Sequence, residues 1–129
     1  MSKYAFGKTV NMNFEQAVGA VTQALAKEGF GVLTEIDVQA TLKKKLGLDR
    51  PPHKILGACN PQFAAKALEA EPQIGALLPC NVVVRNDTAG KTIVEFMDPD
   101  AVLKLVERAE IGTVAAEVRQ RLQRVMAAL

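Results

Sequence analysis

Apolar positions recur along this chain in two rhythms, and the switches between them predict its elements. Tyr4, Phe6, Lys8 and Val10 share one side of an opening alternating segment, the pattern of a strand. Asn13 then offers a helix cap, with Gln16 placed to complete a capping box. Phe14, Ala17, Val18, Val21 and Leu25 follow at helical spacing, and Gly29 ends the stripe. Alternation returns over Phe30 to Ile36. It predicts a second strand with Phe30, Val32, Thr34 and Ile36 toward the helices and Leu33, Glu35 and Asp37 opposite. Asp37 caps a short helix through Leu46, which Gly47 closes.

The stretch Asp49-Arg50-Pro51-Pro52 is a stiff connector, because consecutive prolines exclude helix. Lys54 to Cys59 reads as a third strand, and Asn60-Pro61 as a cap followed by the first residue of a helix to about Ala70. A looser stretch, Pro72 to Leu78, precedes a fourth strand from Asn81 to Arg85 and a fifth from Lys91 to Met97. The link between them, Asn86-Asp87-Thr88-Ala89-Gly90, has hairpin chemistry. Asp98-Pro99 opens a helix through about Arg108, broken over Glu110 to Thr113. A last helix, Val114 to Leu129, carries Val118, Leu122, Val125 and Leu129 on one stripe.

The short polar turn favours antiparallel pairing. The expectation is one α+β domain over residues 1–129. It has two layers: a mainly antiparallel sheet of about five strands, with helices Phe14–Lys27 and Val114–Leu129 covering one face and burying Val84. The other face, carrying Leu33, Val83 and Phe96, needs cover that a small domain lacks. A homodimer supplies it.

Composition narrows the partners. With 49% hydrophobic and 23% charged residues, the chain is ordinary globular material, and with no Trp its core is mostly aliphatic. A net charge of +2 and one short basic run, Lys43-Lys44-Lys45, argue against nucleic acid. No segment has the length of apolar chain that a membrane span requires, and the first residues lack a signal peptide's apolar centre. The expected location is the cytoplasm, where two cysteines are more often reduced thiols than a structural disulfide. Phosphate-loop, dinucleotide, serine-elbow and HExxH motifs are missing from the sequence.

The candidate chemistry lies in two echoes, Ala58-Cys59-Asn60-Pro61 and Pro79-Cys80-Asn81-Val82. A parallel arrangement of strands three and four would separate the thiols by roughly 17 Å or more. An antiparallel one brings both to the same rim of the sheet. Cys59 precedes a helix start, where the dipole favours a thiolate. The pair is a candidate site for a soft metal ion such as Cu(I), for dithiol–disulfide exchange, or for a sulfur atom passed from a partner. Buried cysteines packed as small hydrophobes are the plainer reading. Further ligand-binding candidates are Glu35 and Asp37, two residues apart on one strand face, together with Asn60 and the single histidine, His53. Glu35, Asp37 and His53 around a sheet-face cleft would suit an enzyme. Helix capping by Asp37 and Asn60 is the structural alternative. No cofactor is specified. The chain reads as a small binding or accessory protein, with a purely structural dimeric module as a further alternative.

Four blocks carry a resemblance across nearly the whole chain: Gly29 to Asp37, Ile55 to Pro61, Leu78 to Val84, and Met97-Asp98-Pro99. In this order they resemble the family called domain of unknown function 302. The resemblance implies a compact α+β fold, similar to the TATA-box-binding-protein class, and a dimer. It implies no activity. Many relatives lack one or both cysteines, so a thiol role would belong to a subgroup.

Overall fold

The computed structural model describes residues 2–129. Five strands, β1 (Ala5–Val10), β2 (Gly31–Asp37), β3 (His53–Cys59), β4 (Cys80–Asn86) and β5 (Thr92–Met97), form one sheet. Their order is β1-β5-β4-β3-β2, and every neighbouring pair is antiparallel. The chain is thus α+β, with helices α1 (Phe14–Lys27), α2 (Val38–Leu46), α3 (Pro61–Ala70), α4 (Pro99–Leu103) and α5 (Ala109–Ala127).

Local chemistry sets most boundaries. The Asn13 side chain accepts from the Gln16 amide at 2.8 Å, while the Gln16 side chain accepts from the Asn13 amide at 3.1 Å, completing the capping box. Asp37 accepts from Ala40 N–H at 2.8 Å and starts α2, and Gly47 closes that helix with φ 67. Strict alternation in β4 and β5 sends Val82, Val84, Val94 and Phe96 into the core, where each is fully buried. There they meet Ala17, Val21 and Leu25 of α1 and Val118, Leu122 and Val125 of α5. Phe96 therefore faces the helices, stacked on Phe6 at 5.4 Å between ring centroids, not the open face that the sequence suggested. No helix among the described residues is long and apolar enough to cross a membrane.

Two further expectations change. The pairing of β2 shifts between Val32 and Thr34, so that Val32 opposes Ala58 but Thr34 opposes Gly57. This bulge at Leu33 reverses the side-chain alternation beyond it. Thr34 and Ile36 take the open face, while Glu35 and Asp37 align with Leu56 and Lys54 on the helix side. The second change lies near the C-terminus. A 3-10 turn, Lys104–Val106, follows α4, and Glu107 adopts φ 58. The chain breaks there, and α5 begins at Ala109, running through the Glu110–Thr113 stretch expected to interrupt it. Gly112 costs a helix about 1 kcal/mol. Burying Ile111 returns roughly 1.5–3 kcal/mol, and Ile111 packs with Ala115, Leu103, Ala67 and Ile74 in a second apolar cluster.

Candidate functional site

The antiparallel ladder between β3 and β4 brings the end of one and the start of the other to the same rim. Ala58 pairs with Cys80, so Cys59 lies one residue beyond that pair. Ladder spacing separates the two cysteine Cα atoms by roughly 6 Å. From this rim α3 departs at Asn60-Pro61, and a 3-10 segment, Pro72–Leu77, returns the chain to β4. Between the sheet end, α3, this return and α5 lies a cavity of about 370 Å³. Phe63, Ala64 and Ala67 line it from α3, Leu103 from α4, and Val114 and Val118 from α5. Both cysteines and Asn60 also line it, and none of the described lining residues is charged.

The two thiols differ in setting. Cys80 is buried. Burial first, and then the neighbouring Cys59, pushes its thiol up to about 11, so it stays protonated at neutral pH. Cys59 is only half-buried. Strand alternation also starts the two side chains from opposite faces of the ladder, which opposes a disulfide without backbone movement. No group of three or more His, Cys, Asp or Glu among the described residues is arranged to hold a metal. Alkylation of the native protein at about pH 8 should label Cys59 first, with Cys80 lagging by tenfold or more because only the thiolate attacks. Peptide mapping of the first adduct to Cys80, or equal rates, contradicts this. The raised pKa also has a stability sign. The unfolded thiol ionises first, so stability is whole below the ordinary 9.0 and declines as pH climbs toward 11.

Glu35, Asp37 and His53 do not assemble into the acidic cleft considered from sequence. Glu35 pairs with Lys54, Asp37 caps α2, and the bulge has turned both to the helix side. His53 opposes Arg85 on the open face, where Arg85 holds Glu95 through Nε at 2.7 Å and Nη2 at 3.2 Å. Burial, then Arg85 and Arg50, lower the His53 pKa, with Glu95 opposing. The folded state thus resists protonating His53, whereas the unfolded chain accepts a proton near the ordinary 6.5. The contribution of His53 to stability is whole above that pH and is lost as pH falls below it. Melting temperatures compared at about pH 7.5 and about pH 5.5 should fall less for His53→Gln than for the parent. An identical fall in both removes His53 from the acid response.

Asn60 lies at the cavity wall and does double work. Its Oδ1 accepts from Phe63 N–H at 3.4 Å, capping α3. Gly29, at φ +86, lets its Nδ2 approach closely: a Cβ there would stand 2.9 Å from that nitrogen. Gly57 serves the same rim, since a side chain on it would collide with Thr34 and Pro79. The sequence reading found Cys59, Cys80 and Asn60 at this place but missed the apolar walls. The signal was the small-residue face of α3, Ala64 and Ala67, where a closely packed helix carries Leu or Ile.

No curated protein matches the chain. Among solved structures it is similar to the uncharacterized conserved protein DUF302 from Bacillus stearothermophilus, with 29% identity and a TM-score of 0.90 over 98% of each chain. The family model described as domain of unknown function DUF302 matches residues 6–129. With nearly its full length inside that match, the chain belongs to the DUF302 family.

Proposed function

We propose that this protein is a small binding module that takes an apolar ligand into the cavity between the rim of the sheet, α3 and α5. The observation that carries the reading is the cavity itself. Its volume of about 370 Å³ falls in the range of small-molecule sites, and its walls are almost wholly apolar. Leu33 and Leu68 line it while remaining 68% and 42% exposed, which gives an apolar ligand a path inward from solvent. Ala64→Trp should fill the space from α3. An environment-sensitive apolar dye should bind the parent protein at one site per chain and bind the variant at least tenfold more weakly. Equal binding by both proteins, with folding confirmed by circular dichroism, places the dye elsewhere and defeats the reading.

The cysteine pair supports a narrower second form of the same function. Two thiols lining one cavity suit a soft ion such as Cu(I), or a sulfur atom carried on Cys59. Competition against a Cu(I) chelator tests it: retention by the parent and its loss in Cys59→Ser favour the ion, and no retention by the parent excludes it. The module acts as a homodimer in this reading. The open face of the sheet carries Ile36, Ile55, Val83 and Ile93 around the Arg85–Glu95 pair. Such a face is apolar enough to need a partner, and its two opposite charges suit a symmetric one.

A further inference from the structure

The cavity has a length as well as a volume. Its wall on α3 is made by Asn60, Phe63, Ala64, Ala67 and Leu68, the three- and four-residue spacing of one helical stripe. From the first to the last of these the helix advances about 12 Å. The two methyl side chains, Ala64 and Ala67, lie in the middle of the stripe and hollow the wall between Phe63 and Leu68. Val114 and Val118, one turn apart on α5, line the cavity as well. A volume of about 370 Å³ spread over about 12 Å leaves a mean cross-section of about 30 Å². That is room for one hydrocarbon chain and too little for a compact cage.

One side of this trough is open. Leu33, Thr34, Leu68 and Gly75 line it and are exposed. Phe30, Ala58, Cys80, Leu103 and Val118 line it and are buried. None of the described lining residues is charged. An ionic head group drawn inside would lose its hydration without gaining a paired charge, so it stays at the exposed residues.

Length and volume bound the chain from two sides. With carbon–carbon bonds of about 1.5 Å at tetrahedral angles, ten carbons span about 11 Å, close to the length of the α3 wall. At roughly 25 Å³ for each closely packed methylene, the volume holds at most about fourteen.

We propose that the ligand of this cavity is a single unbranched alkyl or acyl chain of about ten to fourteen carbons, lying along α3 with its polar head group outside. The inference rests on the cavity being the ligand site. Selection is then by chain length and hardly by head group, because each methylene inside removes apolar surface from water and the head remains in it.

The test displaces the bound apolar dye with alkylphosphocholines of about eight to sixteen carbons, each below its micelle concentration. Decanoate, decyltrimethylammonium and adamantanecarboxylate are titrated beside them. Affinity should rise about fourfold per carbon, the value of one buried methylene, and level off between about ten and fourteen carbons. The three decyl compounds should agree within about fivefold, and adamantanecarboxylate should bind at least tenfold more weakly than decanoate. Ala64→Leu, folded by circular dichroism, should lower the chain limit by about three carbons, the number of carbons it adds, while octylphosphocholine is still bound. A rise that continues unbroken to sixteen carbons shows a chain that is not enclosed and overturns the proposal. So does adamantanecarboxylate binding as well as decanoate, one head group bound more than tenfold tighter than the others, or an unchanged limit in Ala64→Leu. If no chain displaces a dye whose binding still depends on Ala64, the chain class falls and the apolar site stands. A dye indifferent to Ala64→Trp removes the site itself.

Discussion

Val84→Asp is expected to destabilise the fold severely. Val84 is fully buried in the middle of the sheet, opposite Lys54 on one side and Val94 on the other. Its side chain faces the helix layer, where Val21, Leu25 and Leu122 are also fully buried in the same cluster. An aspartate there removes apolar contact and buries a carboxylate. Lys54 is across the strand pair, but it already holds Glu35 at the sheet edge. The expected cost is roughly 4 kcal/mol or more, a large part of the total stability of a domain this size. Urea denaturation followed by far-ultraviolet circular dichroism measures it. A variant with the parent's midpoint would mean that Val84 does not lie in the core.

Val83→Arg should do something quite different, although it lies one residue away. Val83 is half-buried on the open face, between Ile55 and Glu95. The substitution leaves the helix-side core untouched, so the monomer should remain folded, with a melting temperature within a few degrees of the parent, as expected for a surface change. What it should break is association. If the open faces of two copies meet, two additional arginines enter a closed apolar interface, and like charge burial of that kind weakens a dimer by several kcal/mol. Sedimentation equilibrium should find the parent dimeric at micromolar concentration and the variant monomeric. A parent that is already monomeric removes the homodimer, and a dimeric variant moves the interface to another surface.

These neighbours also mark where sequence was sufficient. The alternation of Val82, Val83, Val84 and Arg85 shows a strand with two unlike faces, and the turn chemistry after it requires an antiparallel partner. Local hydrogen bonding was equally readable: Asn13 with Gln16, Asp37, Asn60-Pro61 and Asp98-Pro99 all start helices where those side chains suggest. Each such feature depends on residues within a few positions of one another. The bulge at Leu33 does not. It follows from how β2 must pair with β3, and nothing in Val32-Leu33-Thr34 alone announces an extra residue in the ladder. One slipped residue then carried Glu35 and Asp37 to the helix side and parted them from His53. The start of α5 has the same origin, since Gly112 argues locally against helix while Ile111 finds its partners on α3 and α4.

The cavity falls on the same divide. The cysteines and Asn60 were visible as chemistry at strand ends, and the antiparallel order puts them on one rim. Their significance changes with what surrounds them: a buried Cys80, a half-buried Cys59, and an asparagine whose amide oxygen caps α3. By itself the sequence determined the strands, most of the helices with their caps, and the two unlike faces of β4, because those depend on short-range geometry and period. Tertiary structure alone decided which faces survived the bulge, where α5 began and that an apolar cavity lies at the rim. Packing between residues distant in the chain sets all three, and the energy of that packing is larger than the local preferences it overrides.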